Sequence, residues 1–87
     1  MSLYHGAKQE LIMEEAFLDN VKEVLGIDDR DIQMTDEFRS FDEWSSLAFM
    51  SLIAMLEDEY DLKVDVDRFK LLETVGDVWQ VVKAARS

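Results

Sequence analysis

The feature that most limits the fold is the segment 44–60, which is apolar around most of the surface of a helix. At helical spacing, one stripe of large side chains would face a core: Phe49, Leu52, Ile53, Leu56 and Tyr60. A second apolar group falls on the opposite side, where a surface helix would normally be polar: Leu47, Met50, Ala54 and Met55. Either other helices cover this helix all round, or its second face binds a partner.

A first amphipathic helix precedes this segment. Five apolar side chains between residues 10 and 25 share one face: Phe17, Leu18, Val21, Val24 and Leu25. Glu14 projects onto the same stripe, so we place the dependable helix start near Met13. Gly26 follows the last apolar residue and predicts a left-handed end, with Ile27 returning to the core.

The chain after residue 60 predicts a connection, a helical turn and a last helix. Residues 61–67 alternate polar and apolar, but no partner strand is visible, so we expect an extended connection with Leu62, Val64 and Val66 against the core. A short helix is expected near residues 66–71. Thr74 and Asp77 resemble a capping pair at the start of the last helix, residues 75–85. Its inner face carries four valines, with Trp79 at the edge: Val75, Val78, Val81 and Val82.

The segment 27–43 is long and lacks periodicity, with isolated apolar anchors at Ile32, Met34, Phe38 and Phe41. Such a loop is uncommon in a small domain unless it covers a core or serves function. Without proline, and with 87 residues, the chain predicts one small all-α bundle of three main helices plus a short helix. We expect a flexible leader, residues 1–9, before a single domain, residues 10–87.

The net charge of −11 narrows the choice of partners. It repels nucleic acid and anionic membrane surfaces and favours basic protein partners, although acidity can also serve solubility alone. The apolar run 47–56 is too short to span a bilayer, and no signal peptide is visible. We therefore expect a cytoplasmic monomer.

The side chains needed for catalysis or metal binding are scarce. The chain has no cysteine and one histidine, His5, and it lacks a glycine-rich phosphate loop. We expect neither an enzyme nor a metal site.

A series of short motifs is similar to the acyl carrier protein family over residues 14–82. The motifs in order are Leu25-Gly26-Ile27, Phe38, Ser46-Leu47, Glu57-Asp58-Glu59-Tyr60 with Val64, and Thr74-Val75. The resemblance implies that Ser46 is esterified by 4'-phosphopantetheine from coenzyme A, a reaction performed by a separate phosphopantetheinyl transferase. Acyl- or aminoacyl-loading ligases and downstream synthases or transferases would be further partners, in fatty-acid-like or secondary-metabolite biosynthesis.

Ser45 and Trp44, the two residues before Ser46, distinguish this chain from most members of the family that it resembles. At the position of Ser45 the family usually has aspartate, which helps the transferase recognise the carrier. The loss of this charge implies either less efficient modification or a transferase with different requirements. An isolated Ser46 would be read as an ordinary helix N-cap, but Ser45 is equally placed to cap and leaves Ser46 free. Trp44 is similar to a subset of stand-alone carriers, and we expect it to cover the bundle beneath the long loop.

The resemblance also implies a docking face on the central helix. The expected partner-binding residues are Trp44, Ser45, Leu47, Met50, Ala54, Met55, Glu57 and Asp58. The alternative to partner binding for Met50 and Met55 is that both side chains fill gaps in the core. As the alternative function, an unmodified acidic adaptor of the same fold binds a basic enzyme through this helix.

Overall fold

The structure, a computed structural model, describes residues 2–86, with side-chain surroundings described for residues 9–85. Within this part the chain forms α1 (Ser2–Leu25), α2 (Ser46–Tyr60), α3 (Val66–Phe69) and α4 (Val75–Arg86). A 3-10 helix, Phe38–Ser40, interrupts the loop between α1 and α2. No strand forms among the described residues, where one isolated bridge joins Glu37 and Thr74. The all-α architecture with three main helices and one short helix is therefore confirmed.

Helix α1 is longer than the sequence predicted. The expected start near Met13 is wrong, because the backbone is helical from Ser2. An ion pair between Glu10 and Lys83 links the first half of α1 to α4. The division into a flexible leader, residues 1–9, and a domain, residues 10–87, stays a prediction, and the expectation for the His5 side chain lies outside the described residues.

The end of α1 has the predicted glycine stop. Gly26 adopts φ 75°, the left-handed region, and Ile27 N donates to the carbonyl of Lys22 at 2.9 Å. Ile27 is thereby returned to the core, where it is buried.

Residues from all three main helices build the core. Its fully buried members include Phe17, Val21, Leu52, Leu56, Val75 and Val82. The ring centroid of Phe17 lies 5.0 Å from that of Trp79 and 6.0 Å from that of Tyr60, so this aromatic group joins α1, α2 and α4. Trp79 is 4% exposed, so it belongs to the core and not to its edge. Val81 is 41% exposed, so the prediction that it lies on the inner face of α4 is wrong.

The long loop is held against the start of α4 by its own backbone. Gly76 N donates to the carbonyl of Met34 at 2.7 Å, and Val75 N donates to that of Asp36 at 2.9 Å. A Cβ on residue 76 would lie 3.0 Å from the Met34 oxygen, so this close approach favours glycine. As predicted, the loop contributes buried anchors, Ile32 and Phe38.

The connection after α2 is extended, as expected, and starts at Asp61, whose φ of 53° ends the helix. Leu62 and Val64 contact the core, but Val66 is 40% exposed, so its prediction as a core residue is wrong. Val66 is the first residue of α3, whose cap, Asp65, accepts hydrogen bonds from backbone N–H groups.

The capping pair at α4 is confirmed. Thr74 Oγ1 accepts from Asp77 N at 3.1 Å, and Asp77 Oδ2 accepts from Thr74 N at 3.0 Å. Glu73 N also donates to Asp77 Oδ2. The backbone hydrogen bonds from Thr74, which has the larger effect, and from Glu73 hold the pKa of Asp77 below its ordinary value.

Because the two faces of α2 differ in burial, truncating a leucine on each face should change the stability by very different amounts. Leu52→Ala should lower the free energy of unfolding by about 2–5 kcal/mol, because Leu52 is 1% exposed and its loss leaves a cavity. Leu47→Ala should change it by no more than about 0.5 kcal/mol, because Leu47 is 77% exposed. Urea unfolding of both variants measures these changes, and equal losses would contradict the assigned faces.

Candidate functional site

Two adjacent serines at the start of α2 have different surroundings. Ser45 is extended (φ −160°, ψ 173°), and its Oγ accepts a hydrogen bond from Ala48 N at 3.0 Å. Ser45 is therefore the N-cap, and Ser46 is the first helical residue. Ser46 is exposed, and its hydroxyl makes no hydrogen bond with any residue that the structure describes.

The backbone around Ser46 favours a negative group. The first N–H groups of an α-helix have no intrahelical acceptor, and the helix dipole places partial positive charge at the same end. α2 has 15 residues, enough for this dipole to develop, and its first turn contains no acidic side chain. A phosphate ester on the Ser46 hydroxyl would therefore be electrostatically favoured.

An aromatic cluster lies beneath the start of α2 and joins it to the loop and to α3. The four rings are Phe38, Trp44, Phe49 and Phe69. The Trp44 centroid lies 5.0 Å from that of Phe38 and 6.0 Å from that of Phe49, and its side chain is half-buried. Trp44 thus covers the bundle beneath the loop, as predicted. Each such aromatic pair stabilises the fold by about 0.5–1.5 kcal/mol in addition to the effect of its buried area.

A groove of about 320 Å³ opens beside Ser46. Its lining combines the two serines, two aromatic rings and two cations: Arg39, Trp44, Ser45, Ser46, Phe49 and Lys70. Sequence reasoning missed Arg39 and Lys70, since isolated basic residues carry no periodic signal. They come together because Arg39 donates hydrogen bonds to the carbonyl oxygens of Lys70, at 2.8 Å, and of Leu72.

The second face of α2 is open where three of the predicted partner-binding residues lie. Leu47 is 77% exposed, Met50 is 60% exposed, and Ala54 is also exposed. Met55 is not on this surface, because it is half-buried and packs against the core, as the gap-filling alternative describes. Ala48, which sequence reasoning left out of the core, is buried against it.

The acidic residues near α2 are only partly available to a partner. Glu57 and Asp58 are exposed, but Glu57 Oε2 accepts a hydrogen bond from Val64 N at 3.3 Å. Glu43 binds Arg30 through two hydrogen bonds of 2.8 and 3.0 Å, and these bonds lower the pKa of Glu43. Among the described side chains no group of three or more acidic or histidine residues lies close enough to hold a metal ion.

Comparison with known proteins decides the family. A family model described as a phosphopantetheine attachment site matches residues 15–82. The chain is also 33% identical over 70 residues to an acyl carrier protein of Clostridium acetobutylicum, covering 80% of this chain and 91% of the relative. This chain belongs to the acyl carrier protein family.

Two further comparisons agree with this assignment. A probable acyl carrier protein of Caulobacter vibrioides is 38% identical over 42 residues, or 48% of this chain and 49% of that protein. The solution structure of a holo acyl carrier protein from Geobacter metallireducens superposes with a TM-score of 0.70 at 27% identity, covering 80% of both chains. The resemblance stated from the sequence is confirmed.

The family assignment establishes a carrier rather than an enzyme, with covalently bound 4'-phosphopantetheine as its cofactor. Acyl carrier proteins work with transferases and synthases. An exposed serine hydroxyl beside a cation-lined groove at a helix N-terminus fits the negative phosphodiester of this group. Among the described residues, no helix is both long enough and apolar enough to cross a membrane.

The different roles of the two serines in the fold predict different stabilities for their alanine variants. Ser45→Ala should lower the free energy of unfolding by about 0.5–2 kcal/mol, because it removes the N-cap hydrogen bond. Ser46→Ala should change it by about 0.5 kcal/mol or less. Thermal or urea unfolding of the unmodified variants measures both effects, and the reverse order would show that Ser46 caps α2.

Proposed function

We propose that Ser46 is the residue that carries 4'-phosphopantetheine. The observation that carries this proposal is the division of roles at the start of α2, where Ser45 makes the cap and the Ser46 hydroxyl stays exposed. The helix N-terminus and the cations of the adjoining groove support it, because both stabilise negative charge. The matched family segment, residues 15–82, includes Ser46.

The attachment reaction needs a separate enzyme. Ser46 Oγ forms a bond to the pantetheine-side phosphorus of coenzyme A, and the bond from that phosphorus to the bridging oxygen breaks. Adenosine 3',5'-bisphosphate leaves, and the hydroxyl proton passes to a base of the transferase. Among the described residues no carboxylate accepts a hydrogen bond from the Ser46 hydroxyl, so the carrier itself supplies no general base in this arrangement.

The carrier then presents an acyl or aminoacyl group to other enzymes. When bound, the cofactor supplies a thiol on which that group is held as a thioester. The chain has no cysteine, so no side-chain thiol competes for the cargo. We propose partners in fatty-acid-like or secondary-metabolite biosynthesis, namely a loading ligase and downstream synthases or transferases, and we retain the expectations of a monomeric state and a cytoplasmic location.

The exposed apolar face of α2 is our proposed docking surface for these enzymes. Leu47, Met50 and Ala54 form its apolar part, with Glu57 and Asp58 at the far end of the helix. Apolar side chains would supply most of the binding energy, while the net charge of −11 would attract basic enzymes and speed their encounter. Trp44 and Ser45 would contribute at the end nearest Ser46, whereas half-buried Met55 would act mainly through packing.

Intact mass spectrometry tests the attachment residue. The wild-type chain, incubated with coenzyme A and a broad-specificity phosphopantetheinyl transferase, should gain the mass of one phosphopantetheinyl group. Ser46→Ala should gain none, because the acceptor oxygen is absent. Ser51→Ala is the matched control on the same helix and should be modified like the wild type. A mass gain that survives Ser46→Ala would place the attachment elsewhere.

Transferase kinetics test the docking surface. Met50→Glu should raise the KM for modification about tenfold, because a charge enters an apolar contact that contributes on the order of 1–2 kcal/mol. Gln80→Glu adds the same charge to an exposed position of α4 and should leave KM near the wild-type value.

Equal effects of the two glutamate variants would show that net charge, rather than the α2 face, controls docking. An unmodified adaptor would give a different result. It would gain no mass, and it would bind its partner equally well with Ser46→Ala.

A further inference from the structure

The groove beside Ser46 has the opposite charge to the chain as a whole. The chain carries 20 acidic and 9 basic residues, yet two of the six groove-lining residues are Arg39 and Lys70. No carboxylate lines the groove among the residues that the structure describes. Cations gathered without acidic partners create a local positive potential, which favours a negative ligand at this point of an otherwise acidic surface.

The two cations have different amounts of freedom. The Arg39 guanidinium donates to the carbonyl oxygens of Lys70 and Leu72, and it lies 4.8 Å from the ring centroid of Phe38. Its geometry is therefore set by the fold. Lys70 is exposed, and its ammonium group makes no hydrogen bond or ion pair with any described residue. Lys70 is thus the cation that remains available to a ligand.

Arg39 also fixes the position of the Lys70 backbone. Lys70 is the C-cap residue of α3, and α3 is only one turn long, so its end depends on contacts with its surroundings. The 2.8 Å hydrogen bond from Arg39 Nη2 to the Lys70 carbonyl holds that end beside the 3-10 helix. Lys70 consequently lines the same groove as Ser46.

The groove also has an apolar side. Trp44 and Phe49 line it, and their ring centroids lie 6.0 Å apart in an edge-to-face arrangement. The part of a phosphopantetheine arm next to its phosphate is a branched hydrocarbon, which gains contact energy against aromatic rings. A cation and an apolar wall in one groove therefore match the two chemical parts of the arm that lie nearest the serine.

We propose that Lys70 binds the phosphodiester of the arm attached to Ser46, with Arg39 as the positioning residue for Lys70 and with Trp44 and Phe49 as the apolar wall. This inference rests on the proposed attachment at Ser46. Its consequence is directional: the arm leaves Ser46 toward α3 and lies against the groove rather than moving freely in solution.

Nuclear magnetic resonance of unmodified and modified protein tests this contact. The wild type, Lys70→Gln and Lys63→Gln are each modified with coenzyme A and a broad-specificity transferase, and intact mass confirms the attachment. Lys63 is the matched control, because it is exposed and does not line this groove. On modification, the wild type should shift the Trp44 indole N–H and Lys70 amide signals. The phosphorus signal of its diester should be broader than that of modified Lys70→Gln.

Lys70→Gln should reduce the Trp44 shift by at least about half and sharpen the phosphorus signal, since the ionic contact is lost. Lys63→Gln should match the wild type. Salt near 1 M should weaken the wild-type shifts in the same way, because the Debye length falls from about 8 Å at physiological ionic strength to about 3 Å. The indole signal of Trp79, which is buried in the core, should stay constant and serves as an internal reference.

Two results overturn the inference and can be told apart. A modified wild type whose shifts are confined to Ser45, Ser46 and Leu47, and are unchanged by Lys70→Gln, shows an arm that does not contact Lys70, and it leaves the proposed function intact. A wild-type chain that gains no phosphopantetheinyl mass overturns the proposed attachment and this inference together.

Discussion

Gly76 N donates to the carbonyl of Met34, and Val75 N donates to that of Asp36; these backbone hydrogen bonds fix the long loop against the start of α4. A loop of this length would otherwise lose much conformational entropy on ordering, with little regular structure to offset it. Because the loop is held, Phe38 stands beneath Trp44, and Arg39 reaches the end of α3. The surroundings of the proposed attachment serine are therefore built in part by a segment outside the main helices.

The apolar excess of α2 is resolved by dividing the helix between folding and binding. Leu52, Ile53 and Leu56 are buried, and Ala48 is small enough for the core to approach it closely. Leu47 and Met50 stay exposed, although burying them elsewhere would stabilise the chain. Adjacent exposed apolar side chains of this kind are typical of an interaction surface, which agrees with a protein whose family works by visiting other enzymes.

Local patterns in the sequence were enough to predict three of the helix-end features and most of the core. The glycine stop at Gly26, the cap at Ser45 and the Thr74–Asp77 pair each involve residues close together in the chain. Arg39 and Lys70 could not be predicted as neighbours, because they are 31 positions apart and meet only through tertiary packing. The start of α1 at Ser2 was also missed, because the first residues of the chain carry no periodic apolar pattern.

The hydrogen bond from Ala48 N to Ser45 Oγ means that the Ser46 hydroxyl is not needed to cap α2. A substitution at Ser46 would therefore escape the cellular machinery that removes unstable proteins, since the altered chain would still fold and accumulate. Such a chain could still present the exposed face of α2 to the same enzymes while carrying no cargo. Loss of the hydroxyl would then produce a stable competitor of the working carrier rather than merely an absent one.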